Sequence, residues 1–151
     1  MPTAETLRAL IALVEEAPEG MDLNFEADLL RAVFGHDMSK WPADFVRMTF
    51  NPTFSVDAAR EVARRALPDF WMSSGLCSLT GHASIGPDYN GPAGERLRGE
   101  WPEADFHSGF HADLAPGDGP HRECYAILSC MLQAMLARAL LQQSEPSHAS
   151  R

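Results

Sequence analysis

The chain is short of lysine: Lys40 is the only one, beside eleven arginines. It is also short of cysteine, with three, and it contains no CxxC pair. Three thiols leave one unpaired in any intramolecular scheme. Cys124 and Cys130, six apart, would stand about 120° from each other on a helix, which is poor geometry for a disulfide between them. Reduced thiols in a cytoplasmic setting are the expectation. Long apolar runs are missing, since no stretch approaches the roughly 18 to 20 residues that cross a bilayer. Met1 to Val14 carries Glu5 and Arg8 in place of a basic region and an unbroken apolar segment, so neither a membrane span nor a secretory signal is expected. Basic charge is scarce too: 12 Lys and Arg face 21 Asp and Glu, a formal net charge of -9. Most of such a surface repels phosphate backbones, which argues against direct nucleic-acid binding. The glycine-rich stretch 86–99 contains no GxxxxGK[ST] and no GxGxxG, so nucleotide binding is disfavoured.

What is present is a globular composition over 151 residues, 45% hydrophobic and 22% charged, which suits a single core. We expect one α+β domain over 1–142 and a disordered polar tail over 143–151. The acidic excess is concentrated in the first fifty residues, with nine acids against four bases.

Leu7, Leu10, Ile11 and Val14 recur at helical spacing, and Ala17-Pro18-Glu19-Gly20 ends that helix. A second helix reads from Asn24, as N-cap, to Phe34, with Gly35 as its stop. Trp41-Pro42 and Asn51-Pro52 make 36–51 an aromatic-rich loop or short helical turn. Ser55 caps a third helix that carries Val62, Ala63 and Leu67 and stops at Pro68. Arg60, Arg64 and Arg65 on that helix are the one candidate basic patch, more simply a solvated helix face. From Phe70 to Ile85 the pattern becomes strand-like, a bent strand or a hairpin, and 86–104 reads as a turn-rich connection. Asp105 to Leu114 alternates, so one strand would turn Phe106, Phe110, Ala112 and Leu114 to a core and Asp105, His107, His111 and Asp113 the other way. Pro120 opens a last helix to about Gln142 that is apolar over most of its circumference, either central to the core or part of a homo-oligomer contact.

The opening helix, the stretch 26–35, Phe54-Ser55-Val56-Asp57-Ala58-Ala59 ahead of Leu67, Pro68 and Trp71, and the closing Tyr125-Ala126-Ile127-Leu128-Ser129-Cys130-Met131-Leu132-Gln133-Ala134 together resemble a family of small phage and prophage proteins of unknown function. The family pattern has a Tyr-Thr-x-Ser-x-Asp-Ala-Ala stretch, a tryptophan, and a final helix of Ala-Leu-Ala-Leu-Cys-x-Ala-x-Leu-Arg-Ala type. The similarity spans roughly 7–140. It implies an α-β-α sandwich, a small antiparallel sheet packed by helices, and a phage or prophage setting. Phe54 stands where the family has tyrosine, and 36–51 is longer.

Two kinds of site follow as candidates. His107 and His111 with Asp105 and Asp113 carry imidazole and carboxylate, ordinary ligands for a divalent transition metal. Residues four apart on a strand are about 13 Å apart, so one ion needs a bulge or sharp bend at Gly109. Trp41, Phe45 and Trp101 lie near loops and element ends, where exposed aromatics serve as protein-binding anchors. No catalytic motif stands out. A cysteine nucleophile, Cys77 or Cys124, would need His82, His111 or His121 to converge on it. The expected role is a non-enzymatic, phage-associated protein that binds a host or virion protein, in the host cytoplasm or the virion. The alternatives are a metal-binding module or metal-dependent hydrolase, and a virion structural protein or acidic nucleic-acid mimic.

Overall fold

The computed structural model describes residues 2–16, 23–37, 39, 41, 51–114 and 120–144. The first helix, α1, spans Ala4–Glu16 and buries Ala4, Leu7, Leu10 and Val14, the spacing that puts side chains on one face. Its first turn is held by Thr3, whose hydroxyl accepts from the Thr6 N–H at 3.1 Å. The second helix, α2, spans Leu23–Phe34. Asn24 therefore lies inside it and is not its cap. The Gly35 N–H closes the helix on the Arg31 carbonyl at 2.8 Å. The third, α3, spans Val56–Ala66, and Ser55 caps it as the sequence suggests, its hydroxyl accepting from the Ala58 N–H at 3.2 Å. Most of the 36–51 loop, the 115–119 turn and the tail beyond Ser144 lie outside the described residues.

Strands β1 (Phe70–Leu76) and β2 (Gly81–Pro87) form the hairpin, and β3 (Phe110–Leu114) completes an antiparallel sheet of order β1-β2-β3. The register pairs Met72 with Ile85 and Ile85 with Phe110. Phe70, Met72, Ala83, Ile85, Phe110 and Ala112 thus share the inner face, packed into the core. The outer face carries Trp71, Ser73, His82, Ser84, His111 and Asp113, all exposed or half-exposed.

The connection from β2 to β3 is more ordered than its glycines and prolines suggest. It forms two short helices, α4 (Gly94–Glu100) and α5 (Glu103–Phe106). Trp101 between them is 1% exposed and meets Phe70, Phe106 and Phe110 edge-on. The Tyr89 hydroxyl, also buried, donates to the Trp101 carbonyl at 2.6 Å. A large aromatic contributes its burial only if the backbone around it is fixed, so Trp101 anchors this segment to the core.

The last helix, α6, spans Pro120–Ser144. It packs against all three strands on one side and against α1 and α3 on the other. The fold class is the expected one, α+β with a small antiparallel sheet packed by helices and a long apolar C-terminal helix. On the inner face of the sheet α6 packs against the strands, and α1 and α3 pack on α6. By length and mean hydropathy, His121–Ser144 is long and apolar enough to cross a membrane, contrary to the first reading of the sequence. Its buried contacts with the sheet and with α1 and α3 give that apolar surface a place in the core.

Helix and sheet approach closely at Gly81, where a Cβ would stand 2.3 Å from the Arg122 carbonyl carbon. That neighbour is backbone and cannot rotate away. Gly81→Ala is expected to cost about 1–3 kcal/mol by overpacking, read as a lowered urea midpoint with an unchanged slope. A midpoint equal to that of the parent chain would contradict this packing.

Candidate functional site

The proposed metal ligands do not come together. Asp105 lies in α5 and His107 is its C-terminal cap residue, so the alternation from Asp105 to Leu114 is not one strand. Gly109, at φ +75°, turns the chain between them and β3, and a Cβ there would stand 2.5 Å from the Ile85 carbonyl oxygen. The bend that a shared ion would need is present. It carries Asp105 and His107 off the strand face, while His111 and Asp113 stay on β3. His111 Nδ1 is 2.8 Å from the Ser84 hydroxyl, its cross-strand partner. Asp113 faces His82 across the same pair of strands, and the His82 ring lies over Gly75. Among the described residues, no group of three or more His, Cys, Asp or Glu side chains is placed to hold a metal ion.

The aromatic candidates also change. Trp101 is core. Trp41 is half-buried against Phe34, 6.2 Å between ring centroids, and donates from Nε1 to the Gly35 carbonyl at 2.8 Å. Phe45 lies outside the described residues. Among the described residues, the exposed large aromatic is Phe54, at 55%. Exposed aliphatic side chains stand at Leu13 on α1 and at Leu76 and Leu79 by the β1–β2 turn.

The arginines on α3 do not form a basic patch. Arg64 and Arg65 both pair with Glu61, at 2.5 and 3.0 Å. Arg60 Nη2 donates to the Ser74 hydroxyl at 2.5 Å, and that hydroxyl donates to Glu123 at 2.7 Å. This chain of bonds ties α3 to β1 and to the start of α6.

A groove bounded by α1, α2, the end of α3 and the later turns of α6 opens to solvent, with a volume of about 920 Å³. Leu7, Leu10 and Leu13 of α1, Val33 and Phe34 of α2 and Met135 of α6 form its apolar lining. Arg31, Arg65 and Arg138 also line it, from α2, α3 and α6; the Arg138 guanidinium lies over the Trp101 ring, 5.9 Å from its centroid, and 3.9 Å from Glu100. Sequence reasoning assigned most of these apolar residues to the core and missed the groove. One signal was available: Leu13 falls beside Leu10, Ile11 and Val14 and makes the apolar stripe of α1 wider than one packing face requires.

The cysteines divide by environment. Cys124 and Cys130 are buried, and burial pushes both thiols up to about 12. Cys77 is exposed, and hydrogen bonds from the Thr80 and Leu79 N–H groups and the Thr80 hydroxyl hold it below the ordinary thiol value. In the folded protein iodoacetamide is expected to alkylate Cys77 alone, with a rate that levels off at a lower pH than for a free cysteine. Peptide mass spectrometry checks this, and equal labelling of all three cysteines would refute it. Cys124 and Cys130 ionise near roughly 8.5 once unfolded. The stability that accompanies their neutral folded forms is intact below that pH and is lost as the pH rises toward about 12.

No family model matches the chain, and no curated protein or solved structure matches it either.

Proposed function

We propose that this protein acts by binding another protein, as a non-enzymatic, phage-associated module whose partner is a host factor or a virion component. The phage setting comes from the sequence resemblance. The observation that carries the binding reading is the groove between α1, α2, α3 and α6, an apolar trough opening to solvent beside Leu13, which is 42% exposed. Its volume falls within the roughly 300–1,000 Å³ of ligand-binding clefts. An apolar cleft between helices is also the geometry that receives a partner's apolar side chains. Filling it removes apolar surface from water, worth about 25 cal/mol per Å² before the cost of association.

The test is affinity capture with the tagged chain from infected and uninfected bacterial lysates, run in parallel with Leu13→Glu. A charge placed in the groove is expected to abolish capture of the specific partner. It should leave the thermal unfolding curve nearly unchanged, since substitutions at exposed positions usually shift stability by no more than about 0.5 kcal/mol. The same proteins captured by both forms would overturn the reading.

A further inference from the structure

We infer that the free edge of β1 pairs with β1 of a second copy of this chain, antiparallel and centred on Ser73, so that two sheets join into one. This surface is separate from the groove, and the inference does not rest on the protein-binding reading above.

Which backbone groups face the edge follows from the two ends of the strand. The Cys77 N–H donates to the Thr80 carbonyl at 2.9 Å, and the Asp88 N–H to the Asp69 carbonyl at 3.2 Å. Both bonds run between the arms of the hairpin, so the odd-numbered residues from Asp69 to Cys77 turn their N–H and C=O groups toward β2. Met72, Ser74 and Leu76 turn theirs away, because successive residues of a paired strand point alternately. β1 is an end strand of the sheet, and among the described residues no hydrogen bond reaches those outward backbone groups.

An open edge is ordinarily blunted by a charge, a proline, a bulge or a short strand. β1 reads Phe-Trp-Met-Ser-Ser-Gly-Leu, with neither charge nor proline, and its register with β2 runs without a bulge. β3, the other end strand, is shorter, and Gln133 donates to its His111 carbonyl. With one edge open and the other guarded, pairing through β1 closes at two copies and does not grow into a fibre.

A second copy fits because the strand is its own complement. About a two-fold axis at Ser73, Met72 forms a hydrogen-bonded pair with Ser74 of the second copy, and each such pair occurs twice. Phe70 keeps its N–H on the Leu67 carbonyl and offers its C=O to Leu76 of the second copy. Ser73 stands opposite Ser73, and Trp71 opposite Gly75, as the closer non-hydrogen-bonded pairs. Leu76, 43% exposed in the single chain, gains an aromatic cross-strand neighbour, a pairing that stabilises sheets. The net charge of -9 does not oppose the contact, since the strand itself is uncharged and the Debye length at physiological salt is about 8 Å. Two carboxylates beside it are paired, Glu123 with Arg60 at 3.8 Å and Asp69 with Arg96 at 2.7 Å. Two seven-residue strands make a small contact beside the roughly 800 Å² per partner of stable complexes, so a weak, concentration-dependent dimer is expected.

Sedimentation velocity of the full chain over about 1–300 μM, the range of weak association, tests this. A monomer–dimer equilibrium with no larger species is expected. Ser73 is exposed, and Ser73→Lys and Ser73→Asp each set a charge opposite its own copy. Each is expected to weaken the dimer about fivefold, and an equimolar mixture of the two, with lysine opposite aspartate, to recover the parent affinity. A monomer at every concentration overturns the inference and leaves the edge to a strand of another protein. Larger oligomers overturn it too, as does a dimer that neither charge weakens, which would point to α6 or the groove. Weakening that the mixture does not reverse overturns the pairing about Ser73. Circular dichroism checks folding. Should the charged variants unfold, Ser73→Cys in a Cys77→Ser background carries the test, since non-hydrogen-bonded cross-strand pairs lie within disulfide reach. Mild oxidation is then expected to give a covalent dimer, and its absence overturns the inference.

Discussion

Burial on every side of α6 is the constraint from which the rest of the arrangement follows. From Cys124 to Leu132 nine successive residues are buried, none more than 2% exposed. An ordinary amphipathic helix buries one stripe and leaves the other face to water. A helix with no polar face needs walls all round, and a chain of this size supplies them with a three-stranded sheet on one side and α1 and α3 on the other. Small residues make the close approach workable: Gly81 and Ala83 on β2, Ala59 and Ala63 on α3. The Cys130 thiol donates to the Ala83 carbonyl at 3.4 Å, so even the cysteine in this helix is spent on packing.

That arrangement decides what the remaining elements can do. With α6 on one face of the sheet, the other face has no described helix to meet, and its residues are accordingly polar apart from Trp71. The edge at β3 is not left bare, since Gln133 of α6 donates to the His111 carbonyl at 3.2 Å. A satisfied acceptor and a five-residue strand both make an edge a poor template for pairing with another chain. One polar group that enters the interior, the Glu26 carboxylate, is matched. Glu26, 4% exposed, accepts from the Thr53 N–H at 3.0 Å and from the Thr53 hydroxyl. This bond fixes the chain entering α3 against α2 and so sets one wall of the groove.

The sequence made legible those elements whose signal is local. The spacing of Leu7, Leu10 and Val14, the Ser55 cap, the Phe70–Ile85 hairpin and the unbroken apolar run of the last helix each depend on a few neighbouring residues. The misreadings fall where distant contacts decide. Segment 86–104 has the glycines and prolines of a loop, yet Trp101 is drawn into the core by Phe70 and Phe110 and Leu97 is buried in the same core, which no local pattern announces. Asp105 to Leu114 alternates like a strand, but Gly109 at φ +75° breaks it, and Glu103–Phe106 closes a helical turn first. A period-2 pattern over ten residues reads as one element because nothing in the pattern distinguishes a tolerant glycine from a turning one.

The groove was the least legible feature, for a related reason. It is made of spacing between helices, not of a motif, and its residues are the same leucines, valines and phenylalanines that build cores. Only the excess on α1, with Leu13 left 42% exposed, separates it from packed interior. The same helix that closes the core through Leu132 becomes a groove wall at Met135 and Arg138. The transition falls where α6 passes the end of α3, since Ala66 and Leu67 are the last residues of that wall before Pro68 turns the chain toward the sheet. Position along α6 thus determines whether an apolar side chain meets a partner within the chain or faces the opening that a partner's side chains can fill.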